Sequence, residues 1–301
     1  PSFLFRWFIL HTVFFFTAEG IQAQWNSTLL GDSLMNRIRE QPSDTHRIRF
    51  VNTVAVAFSN QSQFEKADTL FAHSLHLSEQ PGLERDLAST LQNLGVHKRN
   101  QGKLNESINY LLRSLKLKED LGMAPKSIAG SCNVIGTVYA AIADYSRAER
   151  YLTRATSIYE TLGDTLNPSY PLLNLSVLYA NTKQHARAIN CMQRAMRLFG
   201  DKLPPQNVGV LYANLATSHY EIGQYKKALE YATKTMEFAQ QVNLPILNAG
   251  ALMIRSKCQL VQGDTTLAKK LAKESLQLSK KYEDAEGIKD ALAHLAKIDS
   301  L

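Results

Sequence analysis

Small residues recur along this chain at a nearly fixed interval. Ala55, Gly95, Gly136, Ser176, Ala216 and Ser256 are separated by 40, 41, 40, 40 and 40 residues. Seven positions after each comes a turn: Ser62-Gln63-Phe64, Gly102-Lys103-Leu104, Ala143-Asp144-Tyr145, Lys183-Gln184-His185, Gly223-Gln224-Tyr225 and Gly263-Asp264-Thr265. A second small residue follows five positions later, at Ala67, Ser107, Ala148, Ala188, Ala228 and Ala268. A third follows after seven more, at Ser74, Ser114, Ala155, Ala195, Thr235 and Ser275. Columns held in register six times mark an internal repeat, so the chain must bury its apolar residues by stacking like units.

The columns have a steric cause. Two helices joined by a short turn pack antiparallel with axes about 8–10 Å apart, and at their closest approach only Gly, Ala or Ser fits. Large residues flank those spots. Leu91/Leu94, Cys132/Ile135, Leu172/Leu175 and Tyr212/Leu215 sit three apart, on one helix face, and Tyr139 and Tyr179 continue that face. The polar or Gly turn residue stops the first helix. Breakers then divide the units: Pro81-Gly82, Gly122 to Pro125, Gly163 to Pro171, Pro204-Pro205, Asn243 to Pro245, and Gly287. The pattern predicts an all-α solenoid of antiparallel helix pairs, with no further domain boundary inside it.

Composition narrows the function. The net charge of +7 lies on helices such as those bearing Arg147/Arg150/Arg154 and Lys269/Lys270/Lys273, interleaved with Glu. No aromatic stacking platform accompanies them, so they read as solvated faces rather than a nucleic-acid surface. Cys132, Cys191 and Cys258 are far apart, outside any CxxC, and read as small core residues. His73 and His76 lie one turn apart without a third ligand, which makes them surface histidines rather than a metal site. There is no phosphate loop, HExxH or GxSxG, so neither a cofactor nor a catalytic centre is expected. Asp284 and Glu286 stand at a helix start, where the helix dipole favours acids. Asn-x-Ser/Thr matches at Asn26, Asn60, Asn105 and Asn174 matter only in a eukaryotic secretory pathway.

The two ends differ from the array. Arg6 precedes the apolar run Trp7 to Phe16, too short to span a bilayer, and Ala23-Gln24 offers a small-residue cleavage point. Residues 1–23 therefore read as a secretory signal peptide, with a buried N-terminal helix as the competing reading. Residues 24–43 are expected to supply a covering helix through Leu29, Leu30, Ser33, Leu34 and Ile38, with Ser43 or Asp44 capping the next helix. The array then runs over residues 44–301, as six repeats plus the first helix of a seventh. Ala296, in His294-Leu295-Ala296, falls 40 residues after Ser256, the place where a seventh first helix belongs. The chain is expected to be part of a longer protein, whose remainder could hold a membrane helix and a signalling domain.

This organisation resembles the tetratricopeptide repeat. Asn93-Leu94-Gly95, Asn174-Leu175-Ser176 and Asn214-Leu215-Ala216 match that family's first-helix motif, and Gly223 to Leu229 its turn and second helix. The resemblance covers residues 44–301, although the unit is longer than the family's usual ~34 residues. Longer units occur in kinesin light chains and in cytoplasmic peptide-binding regulators of the Rap type. Asp32-Ser33-Leu34 followed by Asp44-Thr45-His46-Arg47 is similar to exported bacterial members, many of them sensor regions of histidine kinases or transcriptional regulators. Lys98 and Gln259 depart from the family's usual aromatic residue and Arg255 from its Leu, so the sixth first helix is expected to be rotated or more exposed.

The resemblance implies a right-handed superhelix whose concave wall, lined by first helices, takes a protein or peptide ligand. Carried over position by position, the groove column comprises Asn52, Gln92, Asn93, Asn133, Asn174 and Asn214, and a second line Arg99, Asn100, Asn181 and Tyr220. Carboxamides offer donor and acceptor to a peptide backbone. They can equally bond a neighbouring repeat and serve packing. Only Arg49 with Asn52, and Arg99 near Asn93, approach the carboxylate-clamp pattern, so no chaperone-tail site is expected. The expected function is thus an exported, periplasmic binding or sensory module, with a cytoplasmic peptide-responsive regulator as the alternative.

Overall fold

The computed structural model describes residues 32–163, 169–199 and 205–301. The segment read as a signal peptide, and the first part of the expected covering helix, lie outside them. Fourteen helices and no strands occur among the described residues: α1 (Asp32–Arg39), α2 (Asp44–Asn60), α3 (Phe64–Ser78), α4 (Glu84–Asn100), α5 (Leu104–Asp120), α6 (Pro125–Ala141), α7 (Tyr145–Thr161), α8 (Ser169–Asn181), α9 (His185–Phe199), α10 (Pro205–Glu221), α11 (Tyr225–Gln241), α12 (Pro245–Val261), α13 (Thr265–Lys281) and α14 (Ala285–Asp299). They fall into two compact units divided between Asp164 and Thr165, within the Gly163 to Pro171 breaker. One unit holds α1 to α7 and the other α8 to α14. Each is a stack of helix pairs, so the fold is an all-α helical repeat.

In the first unit α2/α3, α4/α5 and α6/α7 pair, and in the second α8/α9, α10/α11 and α12/α13. The repeated turn column explains the reversals. Ser62, Gly102, Ala143, Lys183, Gly223 and Gly263 all adopt positive φ, from 59° to 88°. This left-handed residue ends each first helix and sends the chain back. Asp144 and Asp264 then cap the second helices, accepting from the backbone N–H of Arg147 and Leu267. Ser43, rather than Asp44, caps α2, accepting from His46 N at 3.4 Å.

The small-residue column marks the closest approach. A Cβ on Gly95 would lie 2.5 Å from Leu111 Cγ, and one on Gly136 would lie 2.6 Å from Leu152 Cγ. Where the first helix instead carries Ala216 or Ser256, the residue sixteen positions on is Ala232 or Ala272. Side-chain volume is thus shared across these four pairs, as close packing demands. α1 covers α2, with Leu34 and Ile38 buried in one cluster with Val51, Val54 and Phe71. The three cysteines are buried and form no disulfide, and burial pushes the Cys132 and Cys258 thiols up to about 11.

The departures from the family pattern are absorbed locally. Lys98 Nζ donates to Asp68 Oδ1 of α3 at 2.7 Å, so an ion pair stands where an aromatic residue would pack. Arg255 Nη1 lies 3.3 Å from Met236 Sδ. The sixth first helix is not more exposed, contrary to expectation: Leu252, Met253, Ile254, Ser256 and Cys258 are all buried. Ser256 and Ala272 keep α12 seated, and the long Arg255 side chain lies along its neighbour rather than prising it away.

Candidate binding wall on the first helices

Successive first helices touch one another as well as their own second helices. α2 meets α4 and α4 meets α6 in one unit, while α10 meets α12 and α12 meets α14 in the other. Each unit therefore presents a wall of first helices. Side chains on that wall have two competing uses, holding the next repeat or facing outward.

The carboxamides expected to form one column occupy two. Asn52, Gln92 and Asn133 stand three residues before the small residue, whereas Asn93, Asn174 and Asn214 stand two before it. Neighbouring positions on a helix point about 100° apart. Asn52 is buried; its Nδ2 donates to Thr90 Oγ1 at 2.9 Å, and its Oδ1 accepts from Ser74 Oγ at 2.9 Å. Gln92 Oε1 accepts from Ser131 Oγ at 2.7 Å and from Lys118 Nζ. These two amides tie each first helix to the next, the packing use. Asn133, Asn174 and Asn214 are also buried, and Asn214 Oδ1 has no hydrogen-bond partner.

Asn93 is half-buried on α4, beside half-buried Val96. Arg99, also half-buried, donates from Nη2 to Asn100 Oδ1 at 3.4 Å, while Nη1 is enclosed without a partner and burial draws the group's pKa down. Asn181 is exposed at the end of α8. Asn93 and Arg99 belong to the first unit and Asn181 to the second. Lys118 is buried beside Ser131, and burial pulls its ammonium down to about 8.

Tyr220 lines an open cleft. It lies with Lys257, Leu260, Asp290, Ala293, His294 and Lys297 around about 490 Å³, on α10, α12 and α14. Tyr220 and Leu260 are one repeat apart, as are Lys257 and Lys297. Burial pushes the Tyr220 phenol up, with Tyr225 and Glu221 adding to the shift. His294 forms the wall: its Nε2 is 3.0 Å from Ser256 Oγ, and burial together with Lys257 and Lys297 lowers its pKa. Two ammoniums, one carboxylate and a phenol above Leu260 and Ala293 suit a polar, partly anionic segment of polypeptide. The sequence reading missed Lys257, Asp290 and Lys297. The signal for the two lysines was the position after the small residue, which reads Val56, Val96, Thr137, Val177, Thr217 and turns basic only at Lys257 and Lys297.

No cluster of three or more His, Cys, Asp or Glu able to hold a metal occurs among the described residues. No helix among them is long and apolar enough to cross a membrane.

Descriptions of the tetratricopeptide-repeat family match residues 87–121 and 169–241. Curated proteins yield no match. Among solved structures, the chain is similar to a signal-transduction ATPase with numerous domains and a tetratricopeptide-repeat sensor from Pyrococcus horikoshii. The TM-score is 0.76 at 15% identity over 87% of this chain, which spans 41% of that one. It is also similar to the apo quorum sensor NprR from B. thuringiensis, with a TM-score of 0.65 at 13% identity, covering 88% of this chain and 72% of that one. A Rap protein complexed with competence and sporulation factor gives 0.57 at 14% identity, covering 89% and 79%. Matched segments in both units, the six turn columns and the pairing they impose lead to one assignment: residues 87–121 and 169–241 carry tetratricopeptide repeats within an all-α helical-repeat fold.

Proposed function

We propose that this protein is a protein- or peptide-binding module without catalytic chemistry, using the wall of first helices as its binding surface. The cleft bounded by Tyr220, Lys257, Asp290 and Lys297 carries the reading, because there polar groups from three repeats converge on open space. Likeness to the NprR quorum sensor and to a Rap protein held with its factor supports a polypeptide ligand. The test is affinity capture of partners with residues 24–301, followed by binding isotherms for a partner so identified. Lys257→Glu with Lys297→Glu should weaken binding at least tenfold while leaving helicity unchanged. Unchanged affinity in that double variant would remove the cleft from the reading.

The proposal includes export to the periplasm and a place within a larger signalling protein. Arg6, the run Trp7 to Phe16 and the Ala23-Gln24 junction support export. The sensor likeness, in which this chain matches only part of a multidomain ATPase, supports the larger context. A mature N-terminus at Gln24, read by mass spectrometry, is the expected result. An intact N-terminus would favour the second reading, a cytoplasmic regulator like the Rap and NprR proteins.

A further inference from the structure

Helices α11, α12 and α13 carry the basic excess of this protein. Their sequences hold ten lysines and arginines against three glutamates, an excess equal to the net charge of +7 for the whole chain. α13 contributes most, with five lysines and one acid, Glu274. Lys269 pairs with Asp299 at 2.5 Å. Lys270, Lys273, Gln277 and Lys281 are spaced by three, four and four residues, so they form one stripe. All four are exposed. So are counterparts on α5 and α11, which have second helices before and after them: Asn109 and Glu230 at the position of Lys270, Lys116 and Glu237 at that of Gln277. This face is therefore an outer surface within the array, and what sets α13 apart is charge. Lys280, next to the stripe, stands where earlier repeats carry Glu79, Glu119 and Glu160.

Beside the stripe lies an opening of about 470 Å³ between α11 and α13, with α12 as its floor. Met236, Leu252 and Leu278 give it an apolar lining, and Gln240, Gln277 and Lys281 stand around it. Gln277 and Lys281 belong to both cleft and stripe, so lysines border the apolar floor. Glu274 is the one carboxylate among the lining residues. Two polar groups meet this floor. Asn248 Oδ1 lines the cleft and is enclosed without a hydrogen-bond partner, which costs free energy until an occupant donates to it. Arg255 Nη1 lies 3.3 Å from Met236 Sδ, placing a guanidinium where other repeats carry Leu94, Ile135, Leu175 and Leu215.

We infer that the cleft between α11 and α13 is a second docking surface, and that its occupant is an acidic amphipathic helix of a partner protein. A helix laid in a groove buries its apolar stripe and leaves charged flanks at the rim. The apolar floor calls for such a stripe rather than for an acidic chain alone, and Met236 adapts to the side chains that enter. Carboxylates on the flank of the helix face Lys270, Lys273 and Lys281, a complementarity that steers encounter and fixes register. From Lys270 to Lys281 the stripe runs about 16 Å, three turns of helix, which sets the length of the segment. Leu252 and Lys257 are five residues apart on α12, about 140° around the helix. This cleft and that of Tyr220 thus lie on different faces, and the inference does not depend on the ligand proposed there.

Fluorescence anisotropy with the purified chain and labelled peptides tests it. The probe is a synthetic peptide of about three helical turns, with leucines at i, i+4 and i+7 and glutamates on the flanks. It should bind, and binding should weaken as salt rises, because the lysines are exposed. A scrambled peptide of the same composition should bind at least tenfold more weakly. Lys273→Glu with Lys281→Glu should weaken the probe at least tenfold. Gln277→Trp, which keeps every charge but fills the rim of the cleft, should do the same. Circular dichroism should be unchanged throughout, since all three positions are exposed. Equal affinity for the scrambled peptide, indifference to either variant, or no binding at millimolar peptide would overturn the inference. So would tighter binding of single-stranded DNA or of phosphatidylserine vesicles, which would make the stripe a general polyanion surface.

Discussion

At the scale of single residues, one backbone torsion recurs where side chains tolerate it unequally. Ala143 holds φ at 61° and Lys183 at 60°, in a turn column where Gly102, Gly223 and Gly263 hold the same left-handed conformation. A Cβ there costs about 1 kcal/mol or more, against the smaller loss from a more flexible unfolded chain. Ala143→Gly should therefore stabilise by up to about 1 kcal/mol in urea denaturation. Asn52 and Asn93 separate the two uses of a carboxamide. Asn52→Ala removes the buried bonds to Thr90 and Ser74, leaving those two hydroxyls only each other at 3.3 Å, and should destabilise by about 1–3 kcal/mol. Asn93→Ala, on the open side of α4, should change stability by less than about 0.5 kcal/mol. Both residues look alike in the sequence, because being Asn near the small-residue column does not reveal which way the side chain points.

At the scale of helices, the sharing of volume across a pair governs tolerance. Gly95→Ala gains helix propensity of about 1 kcal/mol, but its methyl group meets Leu111 Cγ at 2.5 Å and Ser107 O at 3.2 Å. Leu111 is fully buried and has little room to move, so overpacking of about 1–3 kcal/mol wins and the variant should be less stable. Combined with Leu111→Ala, which reproduces the Ala216/Ala232 pairing, the effects should be markedly non-additive: the methyl group fills space that truncation opens. A double-mutant cycle by thermal or chemical denaturation measures this coupling. The helices themselves were legible because their period is written in small residues and turns. The fate of α12 was not: a missing Leu at Arg255 suggested exposure, yet Ser256, whose Oγ donates to Ala268 O at 2.6 Å, still seats the helix.

At the scale of the whole molecule, buried ionisable groups set the response to pH. His97, His219 and His294 all have pKa values lowered from 6.5, chiefly by burial. The unfolded chain therefore binds protons first as pH falls through 6.5, and stability declines below that value. Asp68 acts further down. Burial opposes its charged form, but hydrogen bonds from Lys98, Gln101 and His97 outweigh it and hold the pKa at about 2, so its contribution is lost as pH drops from 3.8 towards 2. Lys118 acts at the alkaline end: its pKa falls from 10.5 unfolded to about 8 folded, so the folded state releases its proton first and stability rises between those values. Denaturation midpoints should increase as pH rises through 6.5 and again from about 8 to 9, above which the Cys132 and Cys258 thiols, raised from 9.0 to about 11, turn the slope downward, as the proton linkage requires. Lys118→Met should abolish the alkaline rise, and persistence of that rise would reassign it.

The sequence by itself determined the repeat, its ~40-residue period, the turns and the helix pairing, because close approach between helices admits only small side chains and every unit faces that constraint. Tertiary structure decided which inner-wall polar groups are consumed by the neighbouring repeat. Adjacent positions on a helix look equivalent in a column of letters, yet one points across to Thr90 or Ser131 and the next points elsewhere. The cleft likewise required three dimensions: Tyr220, Lys257 and Lys297 come from separate repeats, and only stacking of their helices brings an aromatic ring and two cations around one space.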